Sequence, residues 1–327
     1  MGERIHHGAQ ERRIPAEFDG DPVVWSAWLY YEEGLTQHDV AQRLGISRAS
    51  VNNLLQTARD TGVVTIAVAP RHLQTVALAK ELADRYGCAH CLVVPNDAGR
   101  RPVHERVGHA GARLLAGQLR PDDVLGVAWG RTVYALSEAM PQLDLPGMSV
   151  VQVMGSAVGG ERFTAELCTS NIAGRVRGRC IYLHAPGIVS RPAVKSVLMA
   201  EPALVEQFRI IAACNRIVFG VGSMQSISIA SDGGFLLAPH EAGPAIARGA
   251  VASLAGRFID AAGCAVPCRF DDRLIGITTD AIRAVPERIC VAAGPDKVRP
   301  IRAVLAGGYV TSLVTDQRTA QALLSDP

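Results

Sequence analysis

The sequence predicts an α/β protein with a helix-turn-helix unit at its amino end. Three observations lead there. Seven apolar, β-rich runs alternate with helical patterns from about residue 90 onward. Residues 36–55 hold two short amphipathic patterns separated by one glycine. Apolar residues make up 48% of the 327 and charged residues 20%, enough to build a core of ordinary size. That balance excludes a largely disordered chain, which needs low hydrophobicity and high net charge. No uninterrupted apolar run is long enough to cross a bilayer, and the first twenty residues are polar and charged. A cytoplasmic protein with no membrane partner is expected.

Residues 1–20 read as a flexible tail. Val24, Trp25, Trp28 and Leu29 form the apolar stripe of a helix over 23–33, which Gly34 ends. Thr36 opens a second helix: its hydroxyl can cap the backbone, Asp39 follows three residues on, and Leu35 can staple onto Val40. Gly45 stops it. Ser47 opens a third helix, with Ile46 placed to staple onto Val51. Val51, Leu54, Leu55 and Ala58 then recur at i, i+3, i+4 and i+7, one buried face. Gly62 ends this helix, a short strand Val63–Val68 follows, and Pro70 marks a boundary. The expected domains are 21–69 and 70–327. A helix over 72–86 opens the second. Its apolar runs lie at 91–95, 124–128, 149–154, 180–183, 216–219, 288–292 and 311–314. Strands that are apolar on both faces and alternate with helices imply a parallel sheet covered on both sides.

The segment from Thr36 to Leu55 meets the requirements of a helix-turn-helix. Ala41 is small where two helices cross, Gly45 suits a tight turn, and Val51, Leu54 and Leu55 lock the second helix onto the first. In this motif the second helix enters the major groove. Ser47, Arg48, Ala49, Ser50, Asn52 and Asn53 are the candidates for base edges, since Arg pairs with guanine and Asn with adenine. Arg43 and Arg59 suit phosphates, and Thr36 and Gln37 complete the DNA-facing set. The bland alternative is a three-helix interaction module. Residues 1–69 carry six Arg, no Lys and nine acids, so bulk attraction to DNA is weak. Several copies would supply the missing phosphate contacts, and a homodimer or homotetramer is expected.

In an open α/β sheet, ligands bind beyond the carboxyl ends of the strands. Here several strands run into small turns: Trp129-Gly130-Arg131-Thr132, Gly155 to Gly160, Gly220-Val221-Gly222-Ser223 and Gly294-Pro295-Asp296-Lys297. Gly130, Arg131, Thr132, Gly155, Gly222, Asp260 and Lys297 are the candidate effector-binding residues. Helix N-termini present free N–H groups to anions. Each loop alone is an ordinary strand-to-helix turn; the expectation rests on several meeting. No catalytic motif stands out, and neither a catalytic set nor a cofactor is expected. Cys88-Ala-His-Cys91 and the Cys264/Cys268 pair have loosely metal-like spacing, but a structural zinc needs four ligands. Eight buried or half-buried free thiols are expected.

These residues together resemble the SorC/DeoR-like family of bacterial sugar-responsive regulators. The resemblance spans about residues 22–325. It is carried by Tyr30 to Gln37, Ala41 to Arg48, Ala58 to Val64, Gly130-Arg131-Thr132, Gly249-Ala250-Val251, Gly256 to Asp260, Asp272 to Ile277, Ala306-Gly307-Gly308 and Leu313 to Asp316. It implies a winged-helix-like DNA-binding domain and a Rossmann-like effector domain of the NagB type. It also implies partners in double-stranded operator DNA and a small sugar, polyol or sugar phosphate. The family's phosphate-cradling turn falls on Gly130, Arg131 and Thr132, and its effector-contacting lysine on Lys297. Two departures stand out: Arg131 replaces a threonine, and Ala252-Ser253 replaces a glycine followed by an acid. The alternative is a sugar-phosphate isomerase or aldolase-like enzyme with a helix-turn-helix appendage. It would draw on Asp260, Asp272, Glu161 or His184.

Overall fold

The computed structural model describes residues 14–65, 70–96, 101–156, 163–224 and 239–325. The chain divides into two compact units, Met1–Ala69 and Pro70–Pro327.

The first unit packs three helices, α1 (Pro22–Tyr31), α2 (Gln37–Leu44) and α3 (Arg48–Asp60), around Trp25, Leu29, Val40, Val51 and Leu55. Capping chemistry sets the boundaries. Asp21 accepts from the Val23 amide at 2.7 Å and opens α1 one residue earlier than expected. Thr36 and Asp39 bond reciprocally across the start of α2, as the sequence predicts. Gly45 closes α2 in the left-handed region at φ 72°, where a side chain is costly. Ser47 Oγ accepts from the Ser50 amide at 3.0 Å and opens α3. Leu35 joins the small core, whereas Ile46 stays exposed. Two expectations change. Residues Ala16–Phe18 form a 3₁₀ turn, and Phe18 stacks against Trp25 and packs at a tilt against Trp28, so 14–20 is part of the fold; residues 1–13 of the expected tail lie outside the described residues. Val63 and Val64 form a bend after α3, not the start of a strand; Val64 N–H bonds back to Ala58. Residues 66–68 of that expected strand lie outside the described residues.

The second unit is a seven-stranded parallel sheet between two layers of helices. In chain order its elements are α4 (Pro70–Tyr86), β1 (His90–Val94), α5 (Val103–Gln118), β2 (Val124–Val127), α6 (Arg131–Ala139), β3 (Ser149–Gln152) and α7 (Ala165–Val176). Then come β4 (Arg179–Ile181), α8 (Pro192–Met199), α9 (Pro202–Ala212), β5 (Arg216–Phe219), β6 (Gly222–Ser223), α10 (Pro239–Ala247), β7 (Ala252–Leu254) and β8 (Arg257–Ile259). The unit ends with α11 (Thr279–Ala284), β9 (Glu287–Val291), α12 (Val298–Ala306), β10 (Ser312–Asp316) and α13 (Gln317–Ser325). The sheet order is β1-β10-β9-β5-β2-β3-β4, and each of the seven expected runs supplies one strand. Successive side chains alternate between the two faces. On β5, Val218 joins the core under α5, α6 and α7, while Ile217 and Phe219 join the core under α4, α9, α12 and α13. On β9, Ile289 and Val291 face one way and Cys290 the other.

A short antiparallel sheet, β6-β7-β8, was not anticipated. Its strands have two or three residues, too few for a period to register. The β7–β8 turn is two residues, Ala255 and Gly256, both at positive φ, the geometry that matches strand twist in a tight hairpin.

One buried ion pair ties the amino ends of the central strands. Asp123 accepts from Arg216 Nε at 2.6 Å, from the Arg120 amide at 2.8 Å and from Asn215 Nδ2 at 2.8 Å. Asn215 accepts in turn from the Val124 amide at 2.9 Å.

Candidate functional site

The helical unit offers one polar face. On α3, Arg48, Ala49, Asn52 and Asn53 are exposed, while Val51, Leu55 and Ala58 on the opposite side are buried. Arg48 is steadied by its Nε, which donates to Gln37 Oε1 at 3.4 Å. Two expected base readers are partly committed: the Ser47 and Ser50 hydroxyls bond each other at 2.9 Å at the helix cap, and Ser50 is half-buried. Thr36 likewise spends its hydroxyl on Asp39. Arg43 is exposed and pairs with Glu33 at 3.6 Å. Arg59 is a brace rather than a free phosphate ligand: it donates to the Tyr31 hydroxyl at 3.0 Å and to Gln56 Oε1 at 2.6 Å, tying α3 to α1.

In the α/β unit, a cavity of about 360 Å³ opens beyond the carboxyl ends of β2, β5 and β9. That is the point where the chain direction across the sheet reverses: β2 is followed outward by β3, and β5 by β9 on the other side. The loop after β2 contributes Trp129, Gly130, Arg131 and Thr132; the loop after β5 contributes Gly220, Val221 and Gly222; the loop after β9 contributes Gly294, Pro295, Asp296 and Lys297. The structure therefore brings Gly130, Arg131, Thr132, Gly222 and Lys297 together. Arg131 and Thr132 open α6, whose free N–H groups and positive dipole end face this space. Lys297 Nζ lies 3.4 Å from the Asp296 carboxylate.

Two expected residues fall outside the cavity lining. Asp260 folds its own turn instead: its Oδ1 accepts from the Ala262 amide at 3.0 Å and the Cys264 amide at 2.8 Å. Gly155 lacks a side chain for packing reasons. A Cβ there would lie 2.7 Å from the Ala185 oxygen and the Gly187 nitrogen, where two backbone segments run together. Of the groups the enzyme alternative needs, His184 and Asp272 are exposed and away from the cavity, and Glu161 lies outside the described residues.

Several lining residues were missed. His104, in the first turn of α5, enters from a helix with no sequence signal for it. Phe163 precedes α7, and Ser253, Ala255 and Gly256 arrive on the unforeseen hairpin. Arg257 anchors that hairpin by donating to the Ile277 carbonyl at 3.0 Å, the Gly276 carbonyl at 3.3 Å and Asp271 Oδ1 at 3.0 Å. Within the two motifs Gly256 to Asp260 and Asp272 to Ile277, Arg257 and the Gly276 and Ile277 carbonyls thus act as scaffold, while Gly256 lines the cavity. Asp316, buried at the end of β10, accepts from the Thr319 hydroxyl, and Thr319 Oγ1 accepts from the Gly294 amide at 2.9 Å. That relay holds the loop carrying Lys297.

Burial and the nearby Arg131 guanidinium hold the His104 imidazole below its ordinary pKa, so it is neutral at pH 7. Arg131→Gln is expected to raise that pKa. An NMR titration of the imidazole reads it; no rise would mean that burial alone sets the value.

The cysteines are free, and two of the eight, Cys180 and Cys264, are exposed rather than buried. Burial pushes the Cys168 and Cys214 thiols up to about 12, which keeps them protonated and inert. The neighbouring Cys91 thiol holds Cys88 below the ordinary thiol pKa, while Cys91 itself is pushed up. Among the described residues, no cluster of three or more His, Cys, Asp or Glu is arranged to hold a metal. No helix among them is long and apolar enough to cross a membrane.

Residues 71–325 match the family model described as "Putative sugar-binding domain", and residues 27–73 match the model described as MarR family. The transcriptional regulator YjhU of Escherichia coli (strain K12) is 33% identical, over 94% of this chain and 95% of that protein. The deoxyribonucleoside regulator of Bacillus subtilis (strain 168) is 29% identical, over 93% of this chain and 97% of that protein. The crystal structure of the full-length sorbitol operon regulator SorC from Klebsiella pneumoniae superposes with a TM-score of 0.74 at 26% identity, covering 92% of this chain and 97% of that one. With the family model matching most of the chain and a relative 33% identical over 94% of it, this protein belongs to the SorC/DeoR-like family of sugar-binding transcriptional regulators.

Proposed function

We propose that this chain is a cytoplasmic transcriptional regulator whose hold on double-stranded operator DNA is set by a small carbohydrate-type metabolite in the cavity beyond β2, β5 and β9. The observation that carries the reading is the pairing, in one chain, of an exposed α3 face bearing Arg48, Asn52 and Asn53 with a cavity lined by the α6 N-terminus and Lys297. The deoxyribonucleoside and sorbitol operon regulators, similar along nearly their whole lengths, support the carbohydrate class. The protein acts as a homodimer or homotetramer, which multiplies the phosphate contacts that an acidic helical unit lacks. Regulation is a population shift: a metabolite that binds one arrangement of the assembly better biases the DNA-competent state. Turnover chemistry is not part of this reading, because Asp260, Asp272 and His184 do not line the cavity.

Gly220→Leu tests it. A Cβ at Gly220 would sit 3.6 Å from the Val291 oxygen and 3.8 Å from Val133 Cγ2, ordinary contacts, so the backbone accepts a side chain that fills the cavity. Duplexes selected by the full-length protein from a random pool are bound with and without a panel of sugars, polyols and sugar phosphates. The variant is expected to lose the response to the active compound by about tenfold or more while still binding DNA. An unaltered response would place the effector elsewhere and sink the cavity reading.

A further inference from the structure

Exposure on α3 does not by itself make a base reader; the side chain must also have polar groups to spare. Gln56 has none: its Oε1 accepts from Arg59 at 2.6 Å and its Nε2 donates to Asp60 at 2.8 Å. The Ser47 and Ser50 hydroxyls are committed to each other at the cap. Arg48 and Asn52 differ. Arg48 meets Gln37 Oε1 through its Nε, and that contact leaves the fork of terminal nitrogens out of the bond. Asn52 is exposed, and its amide has no hydrogen-bond partner among the described residues.

Gln37 is half-buried in the first turn of α2, one residue past the Thr36 cap, so it is a fixed point. Tethering Arg48 there restricts its rotamers before DNA arrives, which lowers the ordering cost of a contact made by the fork. Arg48 and Asn52 stand about one turn apart on α3, about 40° around the axis and about 6 Å along it. Stacked bases repeat every ~3.4 Å, so a helix lying along the major groove sets these two side chains about two base pairs apart. The guanidinium fork fits the O6 and N7 acceptors of guanine, and a carboxamide fits the N6 donor and N7 acceptor of adenine. The small Ala49 side chain, on the same exposed face, lets α3 approach the bases closely.

From this arrangement we infer that each operator half-site carries a guanine read by Arg48 and, about two base pairs from it, an adenine read by Asn52, with Gln37 as the positioning residue that sets the Arg48 fork. The inference rests on the DNA-binding reading above and gives that site its bases.

The test selects duplexes from a random pool with the full-length protein, in buffer and again with the panel of sugars, polyols and sugar phosphates. Wild type, Arg48→Ala, Asn52→Ala and Gln37→Ala are compared. Arg48→Ala is expected to lose the preference at one guanine only, and Asn52→Ala at one adenine only. Replacing either base pair in the selected duplex should weaken the wild type by about 5- to 150-fold and leave the matching variant indifferent. Substituting 7-deazaguanine removes N7 without disturbing base pairing, which separates reading of the base edge from reading of duplex shape. It should weaken the wild type by about fivefold or more and leave Arg48→Ala unaffected. Gln37→Ala should lose the preference at the guanine and keep it at the adenine, and Gln37→Glu, which retains the acceptor, should restore it. Equal loss at both positions would make Gln37 a structural residue and overturn its part. The base assignment is overturned if the position freed by Arg48→Ala is not a guanine or that freed by Asn52→Ala is not an adenine. It is also overturned if the two lie more than about three base pairs apart, or if 7-deazaguanine is bound unchanged. Enrichment of a half-site with other bases leaves the regulator reading intact, whereas enrichment of no duplex under any condition sinks both.

Discussion

Replacing Asp123 by alanine is expected to lower the unfolding free energy of the α/β unit by about 3–5 kcal/mol. The side chain is buried, and it satisfies the Arg216 guanidinium, the Arg120 amide and the Asn215 side chain at once. Truncation leaves a guanidinium without its counter-ion, and that charge was removed from water only because a partner was there to meet it. Asn215, freed on one side, loses its hold on the Val124 amide at the start of β2. A urea titration followed by circular dichroism reads the change as a shift of midpoint. Asp123→Asn, which keeps the shape and part of the hydrogen bonding, should lie between the two. A midpoint for Asp123→Ala within error of the wild type would mean that water reaches Arg216 freely. Because this network sits at the opposite end of the strands from the cavity, the variant tests the scaffold and not the cavity.

Arg48→Ala and Asn52→Ala are each expected to cost about 1–3 kcal/mol of specific operator binding. Both residues stand on the exposed face of α3, so neither change touches the small core around Val51 and Leu55. The melting temperature should hold while discrimination falls. The informative quantity is the ratio of affinities for the selected duplex and a scrambled one at fixed salt, since phosphate contacts strengthen both alike. Equal loss on the two duplexes would turn these residues into backbone contacts; no loss on either would remove α3 from the groove. Arg43→Ala should weaken both duplexes together and reduce the slope of log affinity against log salt by about one. Arg59→Ala belongs to a different class. Its bonds to Tyr31 and Gln56 make it a brace between α1 and α3, so the loss should appear in stability before it appears in DNA binding.

The helix-turn-helix was readable residue by residue because its determinants are local. The Thr36–Asp39 box, the left-handed Gly45 and the Ser47 cap each act within four residues of the bond they make. The seven strands were readable for a related reason: burial on both faces leaves continuous apolar runs in the chain. The residue types also announced Gly130, Arg131, Thr132, Gly222 and Lys297, since small turns after strands and a helix start are local features too. The selection of Asp260 and Gly155, which do not line the cavity, has one origin in both cases. A carboxylate that closes its own turn and a glycine flattened between two backbones look, in one dimension, like residues that await a ligand. Only the packed chain separates them.

Composition, capping and the period of burial follow from near neighbours, and the order of residues carried the two-unit plan, the α3 face and the parallel strands. The crossing of the chain at β2 and β5 decided the rest. It brought His104, Ser253 and Lys297, distant in sequence, around one space, and it spent Asp296 on Lys297 there. Electrostatic interactions act through space and not along the backbone. The charge of the cavity is therefore a property of the folded molecule alone.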